Sequence, residues 1–141
     1  MRIDEAPGRR VLSVSGDALR PRLSGDAFEL FEVAGPIGSG PPPHAHGWDE
    51  GYLVLEGELV VGGDDGERTL HAGDAVLVEA GTLHWYRIAS ASTRLVVVTG
   101  GRLAGAFFAD IDANAPGLPV GENLPRVIEV AKRNGLTSPL F

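Results

Sequence analysis

The sequence predicts an all-β domain, a barrel or sandwich of antiparallel strands, and three observations carry that expectation. Proline occurs ten times in 141 residues, yet none stands between Pro43 and Pro116. A residue that cannot donate to a ladder is expected to be missing where pairing is extensive. Within that stretch lie short runs rich in β-branched and aromatic residues, and Gly57, Gly62, Gly63, Gly66, Gly73 and Gly81 separate them at strand-length intervals. No alternation of strand and helix patterns suggests parallel βαβ units.

Taken in order, "VLSV" and "AFELFEVA" read as two early strands. "YLVLEGELVV" follows, interrupted at Gly57, and then "GGDDGE", where Asp and Gly reverse a chain cheaply, predicts a hairpin turn. "AVLVEA", "HWYRI" and "RLVVVTG" complete the sheet. The C-terminal segment changes character. "NLPRVIEVAKRNG" places Leu124, Val127, Ile128 and Ala131 on one helical face. Asn123 suits an N-cap, Pro125 the first turn and Gly135 the C-terminal stop. One amphipathic helix over about 124–134 is expected, lying against the barrel. The whole chain, 1–141, reads as a single domain.

Composition narrows the function classes. A net charge of −7 argues against a phosphate-binding surface, and the Arg9–Arg10 pair reads as a solvated tail. There is no cysteine, so disulfides, thiolate catalysis and thiolate metal sites are excluded together. Any metal must be held by His, Asp or Glu. No apolar run approaches membrane-spanning length, and the N-terminus lacks a signal-like apolar stretch, so a cytoplasmic protein is expected, without nucleic-acid or membrane partners.

Three of the four histidines gather in two segments. His44 and His46 are two apart, so on an extended backbone their side chains point the same way, and Glu50, Tyr52 and Val54 share their parity unless "GWD" bends the strand. Farther on, "HAGDAVLVEAGTLHWY" runs from Gly73 through an apolar strand and a glycine turn to His84. Neighbouring strands of a small barrel aim side chains at a common interior. Three imidazoles and one carboxylate can therefore converge. A carboxylate buried among neutral imidazoles alone costs several kcal/mol, which a bound cation would offset.

These two segments resemble the paired motifs of the cupin superfamily. The first motif, G-x5-H-x-H-x3-E-x6-G, is matched by Gly38, His44, His46, Glu50 and Gly57, within 38–57. The second, G-x5-P-x-G-x2-H-x3-N, is matched over 73–88 by Gly73, Gly81 and His84, and departs from the pattern at Glu79 and Ile88. The ends of the chain, including "GGRLAGAFFADI", look like the small quercetin dioxygenase-like branch. The resemblance implies a double-stranded β-helix, or jelly roll, holding one divalent metal (Fe, Mn, Ni, Co, Cu or Zn) through His44, His46, Glu50 and His84. It also implies a homodimer. "YLVLEGELVV" supplies a physical motive for one, since both its faces are apolar and the outward one needs cover from another strand, the helix or a second subunit.

The function expected from the resemblance is oxidoreductase chemistry of dioxygenase type on a small enolisable or aromatic molecule, with Glu50 as ligand and proton acceptor. An isomerase or lyase using the same metal, and a non-catalytic small-molecule binder, are the competing classes. Phosphorylated substrates would call for Lys or Arg in the barrel, where Arg68 and Arg94 are the candidates. Tyr52, Tyr86 and Trp48 are candidate pocket residues. Phe107 and Phe108 read as core, while His71 and Asp49 read as solvated.

Overall fold

The computed structural model describes residues 1–5 and 10–141, so Arg9 of the basic pair lies outside the described residues. Among the described residues, nine strands form two antiparallel sheets. The strands are β1 (Leu12–Val14), β2 (Asp17–Ser24), β3 (Phe28–Gly35), β4 (Glu50–Glu56), β5 (Glu58–Gly63), β6 (Gly66–His71), β7 (Ala75–Val78), β8 (His84–Ile88) and β9 (Thr93–Gly100). One sheet runs β1-β2-β3-β9-β4-β7 and the other β6-β5-β8. Inward side chains alternate along each strand: Phe31 and Val33 on β3, Tyr52 and Val54 on β4, Tyr86 and Ile88 on β8, Leu95 and Val97 on β9. They merge into one buried cluster. Burial of this one face of each sheet supplies the main stabilisation.

Gly57 joins the sheets. It turns the chain from β4 into β5 at φ +79°, and a Cβ there would stand 2.3 Å from Thr93 Oγ1. Both the left-handed backbone and the close approach require glycine. Strand β2 was not legible as a strand because Pro21 lies within it. β1 pairs only with Asp17–Leu19, so by Pro21 the strand has β3 as its one neighbour, and the register shifts between Pro21 and Leu23. Proline is tolerated at such an edge.

Two helices follow the sheets, where one was expected. α1 (Leu103–Asn114) buries Ala104, Phe107, Phe108 and Ile111, and Phe108 meets Phe31 edge-on at 5.0 Å. α2 (Leu124–Arg133) packs against α1. Asn123 precedes it without capping it. A 3-10 turn over Gly121–Asn123 leads in, and the Asn123 amide donates instead to the Leu118 carbonyl. Gly135, at φ +83°, ends the helix: its N–H reaches the Lys132 carbonyl and that of Leu136 the Ala131 carbonyl, the paired bonds of a Schellman stop. Neither helix covers the outward face of β4, where Leu53 and Leu55 remain exposed. No helix among the described residues is long and apolar enough to cross a membrane.

Candidate metal centre

His44, His46, Glu50 and His84 come together, with one ligand atom from each lying within 4.8 Å of the others. The "GWD" segment does break the strand. His44–His46 forms a separate extended piece before β4, held from two sides. His44 exchanges backbone hydrogen bonds with His84 at 3.0 and 2.9 Å, and Ala45 exchanges them with Thr137 at 2.9 and 3.0 Å. The alternation thus sends His44 and His46 inward while Ala45 is tied to the C-terminal segment. Glu50 opens β4 and His84 opens β8, each facing the interior.

Each imidazole is held the same way. His44 Nδ1–H donates to the Pro42 carbonyl at 2.8 Å, His46 Nδ1–H to Trp48 at 3.0 Å and His84 Nδ1–H to Thr82 at 2.8 Å. A carbonyl can only accept, so the hydrogen sits on Nδ1 and the Nε2 lone pair is free to face the centre. Nε2 of His46 and Nε2 of His84 both stand 3.1 Å from Glu50 Oε2, and Tyr52 Oη donates to that same oxygen at 2.8 Å.

Electrostatics suit this cluster to a cation. Burial, then the neighbouring His84, push the His44 ring down to about 4, which keeps it neutral at pH 7. Burial works against ionisation of Glu50, whereas positive charge shared with His46 and His84, together with the Tyr52 hydroxyl, favours it and brings its pKa down to about 2. Imidazole lone pairs aimed at an ionised oxygen repel unless positive charge lies among them. A proton can satisfy one such pair at a time, whereas a divalent cation satisfies the whole set. Neutral imidazoles with one carboxylate suit first-row transition metals and zinc. The residues present fit the group.

The candidate pocket residues divide. Trp48 is buried and stacks on His46, with centroids 4.3 Å apart and planes 6° apart. Its indole N–H has no hydrogen-bond partner among the described residues. Tyr52 and Tyr86 are buried edge-to-face neighbours, 5.4 Å between centroids. Tyr52 serves Glu50, while Tyr86 Oη donates to Asp17 Oδ2 at 2.7 Å. His71 is exposed at the end of β6, and Asp49 is exposed, where it accepts the Ala80 N–H at 2.8 Å. Arg68 is exposed, and Arg94 lies on the outer face paired with Glu56 at 3.0 Å.

A cavity of about 70 Å³ opens beside His44, His46 and Glu50. The apolar face read for α2 forms one wall, with Phe107 and Phe108 of α1 beside it and no Lys or Arg among the described residues of the lining. The C-terminal segment closes over the same space: Ser138 Oγ donates to the Pro43 carbonyl at 2.6 Å, and Leu140 and Phe141 join the lining. Sequence reasoning missed Asp17, which lies in this lining, is 3% exposed and is bonded by Ser39 as well as Tyr86. No motif spacing could have found it, since it stands outside both histidine segments.

Comparison with known proteins agrees with this geometry. Residues 31–99 match the cupin domain family. The quercetin 2,3-dioxygenase of Bacillus subtilis (strain 168) is 40% identical over 93 residues, 65% of this chain, and the match spans only 27% of that enzyme's length. The structure of TT1209 from Thermus thermophilus is 32% identical, with TM-score 0.61 over 72% of this chain and 99% of that one. The fold is shared with KdgF from Halomonas sp., at 18% identity and TM-score 0.67 over 72% of this chain and 94% of that one. The sequence motifs, the jelly-roll sheets and the matched domain family agree: the chain belongs to the cupin superfamily.

Proposed function

We propose that this cupin is a mononuclear metal protein with oxidoreductase activity of dioxygenase type toward a small enolisable or aromatic molecule. One observation carries the metal: three imidazoles whose Nδ1–H groups are committed to backbone carbonyls, gathered with an ionised Glu50. His44, His46, Glu50 and His84 would hold the ion. When bound, it supplies Lewis acidity toward substrate oxygens and access to dioxygen chemistry. The oxidoreductase class is supported by similarity to the Bacillus subtilis enzyme.

The chain's own residues have definite tasks in this reading. Glu50 Oε2 takes the contacts from His46, His84 and Tyr52, which leaves Oε1 to accept a proton from an enolisable substrate. Trp48 holds the His46 ring flat, and Val97, Phe107 and Ile111 keep the pocket apolar. A lining without Lys or Arg offers nothing to a phosphate group, which disfavours sugar-phosphate isomerase chemistry. A second copy covering the exposed Leu53 and Leu55 belongs to the same reading, and sedimentation as a monomer would remove it.

Metal analysis of the purified protein, followed by loading with Fe(II), Mn(II), Ni(II) or Co(II) and measurement of oxygen uptake with flavonols and smaller hydroxyketones, tests the assignment. Oxygen uptake that disappears in Glu50→Gln is the expected result. Tight metal binding with no uptake for any metal or substrate overturns the dioxygenase reading.

A further inference from the structure

Asp17 is a buried carboxyl group with no part in the chemistry above, and it shares a cavity with the metal-facing residues. It opens β2, just after a turn in which Ser15 (φ +54°) and Gly16 (φ +83°) are both left-handed. Its two oxygens are used separately: Ser39 Oγ donates to Oδ1 and Tyr86 Oη to Oδ2. Space is reserved for it, since a Cβ on Gly35 would stand 1.9 Å from Oδ1. A carboxylate accepts about four hydrogen bonds. Two are filled, no cation pairs with it among the described residues, and the cavity lies alongside.

Its position relative to the ligand cluster follows from the strands. Tyr86 sits two residues beyond His84 on the same face of β8, and Tyr52 two beyond Glu50 on β4. Each step of two residues is about 7 Å along a strand. The cavity is lined both by His44, His46 and Glu50 of the candidate cation site and by Asp17 and Tyr86, the next inward pair of positions, among apolar walls. A volume of about 70 Å³ is under half of the ~150 Å³ that admits benzene. A fused-ring substrate requires more movement of the walls than a short, linear one.

We propose that Asp17, steadied by Ser39 and Tyr86, is the distal anchor of the ligand pocket. It selects small hydroxycarbonyl compounds that present oxygen to the metal end and a second hydroxyl donor to the carboxyl end. This inference rests on the metal-binding reading above and narrows its substrate class to small, unfused hydroxycarbonyl molecules.

The test uses Co(II)-loaded protein and two probes, hydroxyacetone and dihydroxyacetone, which differ by one distal hydroxyl. Visible absorption of the cobalt reports the metal end, and calorimetry reports affinity. Dihydroxyacetone should bind roughly tenfold tighter, the usual worth of a hydrogen bond to a charged acceptor. Asp17→Asn should cut that preference at least threefold and Asp17→Leu should abolish it, with hydroxyacetone affinity little changed; if Asp17→Leu fails to fold, the Asp17→Asn result decides. Equal affinity for the two probes, or equal loss of both in the Asp17 variants, overturns the anchor. A silent cobalt spectrum with an Asp17-dependent calorimetric preference keeps the anchor and overturns the coordination reading. No binding by either method overturns both.

Discussion

Tyr52 Oη donates at 2.8 Å to Glu50 Oε2, the oxygen that also faces Nε2 of His46 and of His84. The two residues share one face of β4, so the donor is aligned by the strand and its reach is set by the pleat. A hydrogen bond to a ligating carboxylate fixes which oxygen is presented and how it is oriented. Removing such partners typically costs 10–100-fold in metal affinity. Tyr52→Phe keeps the ring packed against Tyr86 and deletes only the hydroxyl. It should bind Co(II) or Ni(II) about tenfold or more weakly in competition with a chelating dye, with an unchanged circular dichroism spectrum. Affinity equal to that of the parent would show that Glu50 is oriented without it.

Trp48 offers a different handle because its ring lies flat on His46. A paramagnetic ion held by His46 must quench the fluorescence of an indole stacked on that ring. Quenching on Ni(II) or Co(II) addition should survive in Trp85→Phe and largely vanish in Trp48→Phe. The orphaned, buried indole N–H also means that Trp48→Phe removes an unsatisfied donor and should cost little stability, whereas Trp48→Ala opens a cavity and should cost about 3–5 kcal/mol in denaturant unfolding. Strong destabilisation by Trp48→Phe would mean that the N–H has a partner after all.

Asp17 makes stability depend on pH in a direction opposite to that of a salt-bridged carboxylate. Burial lifts its pKa from 3.8 to about 6, against the lowering effect of Ser39 and Tyr86. The folded state therefore holds this proton more tightly than the unfolded one. Its favourable contribution is complete below about pH 4, fades as pH rises through 6, and is gone above it, a loss of about 3 kcal/mol. Asp17→Asn cannot ionise. Its stability should change less between pH 5 and 8 than that of the parent, and it should be the more stable protein at pH 8. If instead it is less stable at pH 8, the ionised carboxyl is better solvated than its burial implies.

What was legible in the sequence was whatever depends on local periodicity. Alternation along "EGYLVLE" and "HWYRI" placed Glu50, Tyr52, His84 and Tyr86 on inward faces, and two-residue spacing aligned His44 with His46. Long-range partnerships were legible only where the paired histidine motifs marked them, as for His84 with His44, His46 and Glu50. That Asp17 meets Tyr86, 69 positions away, depends on the pairing of whole sheets. Strand β2 was concealed by Pro21, which is harmless only because β1 stops short of it. α1 did carry the helical spacing Ala104, Phe107, Phe108, Ile111, but its start has no local cap and an internal glycine. Both anomalies have the same cause, and it lies on β3.

Glu29 is that cause. From β3 it accepts the Gly105 N–H at 2.9 Å, filling the capping role that Arg102 leaves vacant, and its negative charge sits at the positive end of the helix. The approach is so close that a Cβ on Gly105 would stand 2.4 Å from Glu29 Oε2, which is why a helix interior carries glycine here. Glu29→Ala should lower stability by about 1–2 kcal/mol, the cost of a lost cap. Gly105→Ala in the parent should also destabilise, despite alanine's better helix propensity, because it displaces the cap. In the Glu29→Ala background the same Gly105→Ala change has room and should become stabilising, by up to about 1 kcal/mol. That reversal, measured as a double-mutant cycle by urea unfolding, would isolate the contact from propensity. Additive effects of the two substitutions would show that α1 begins without help from β3.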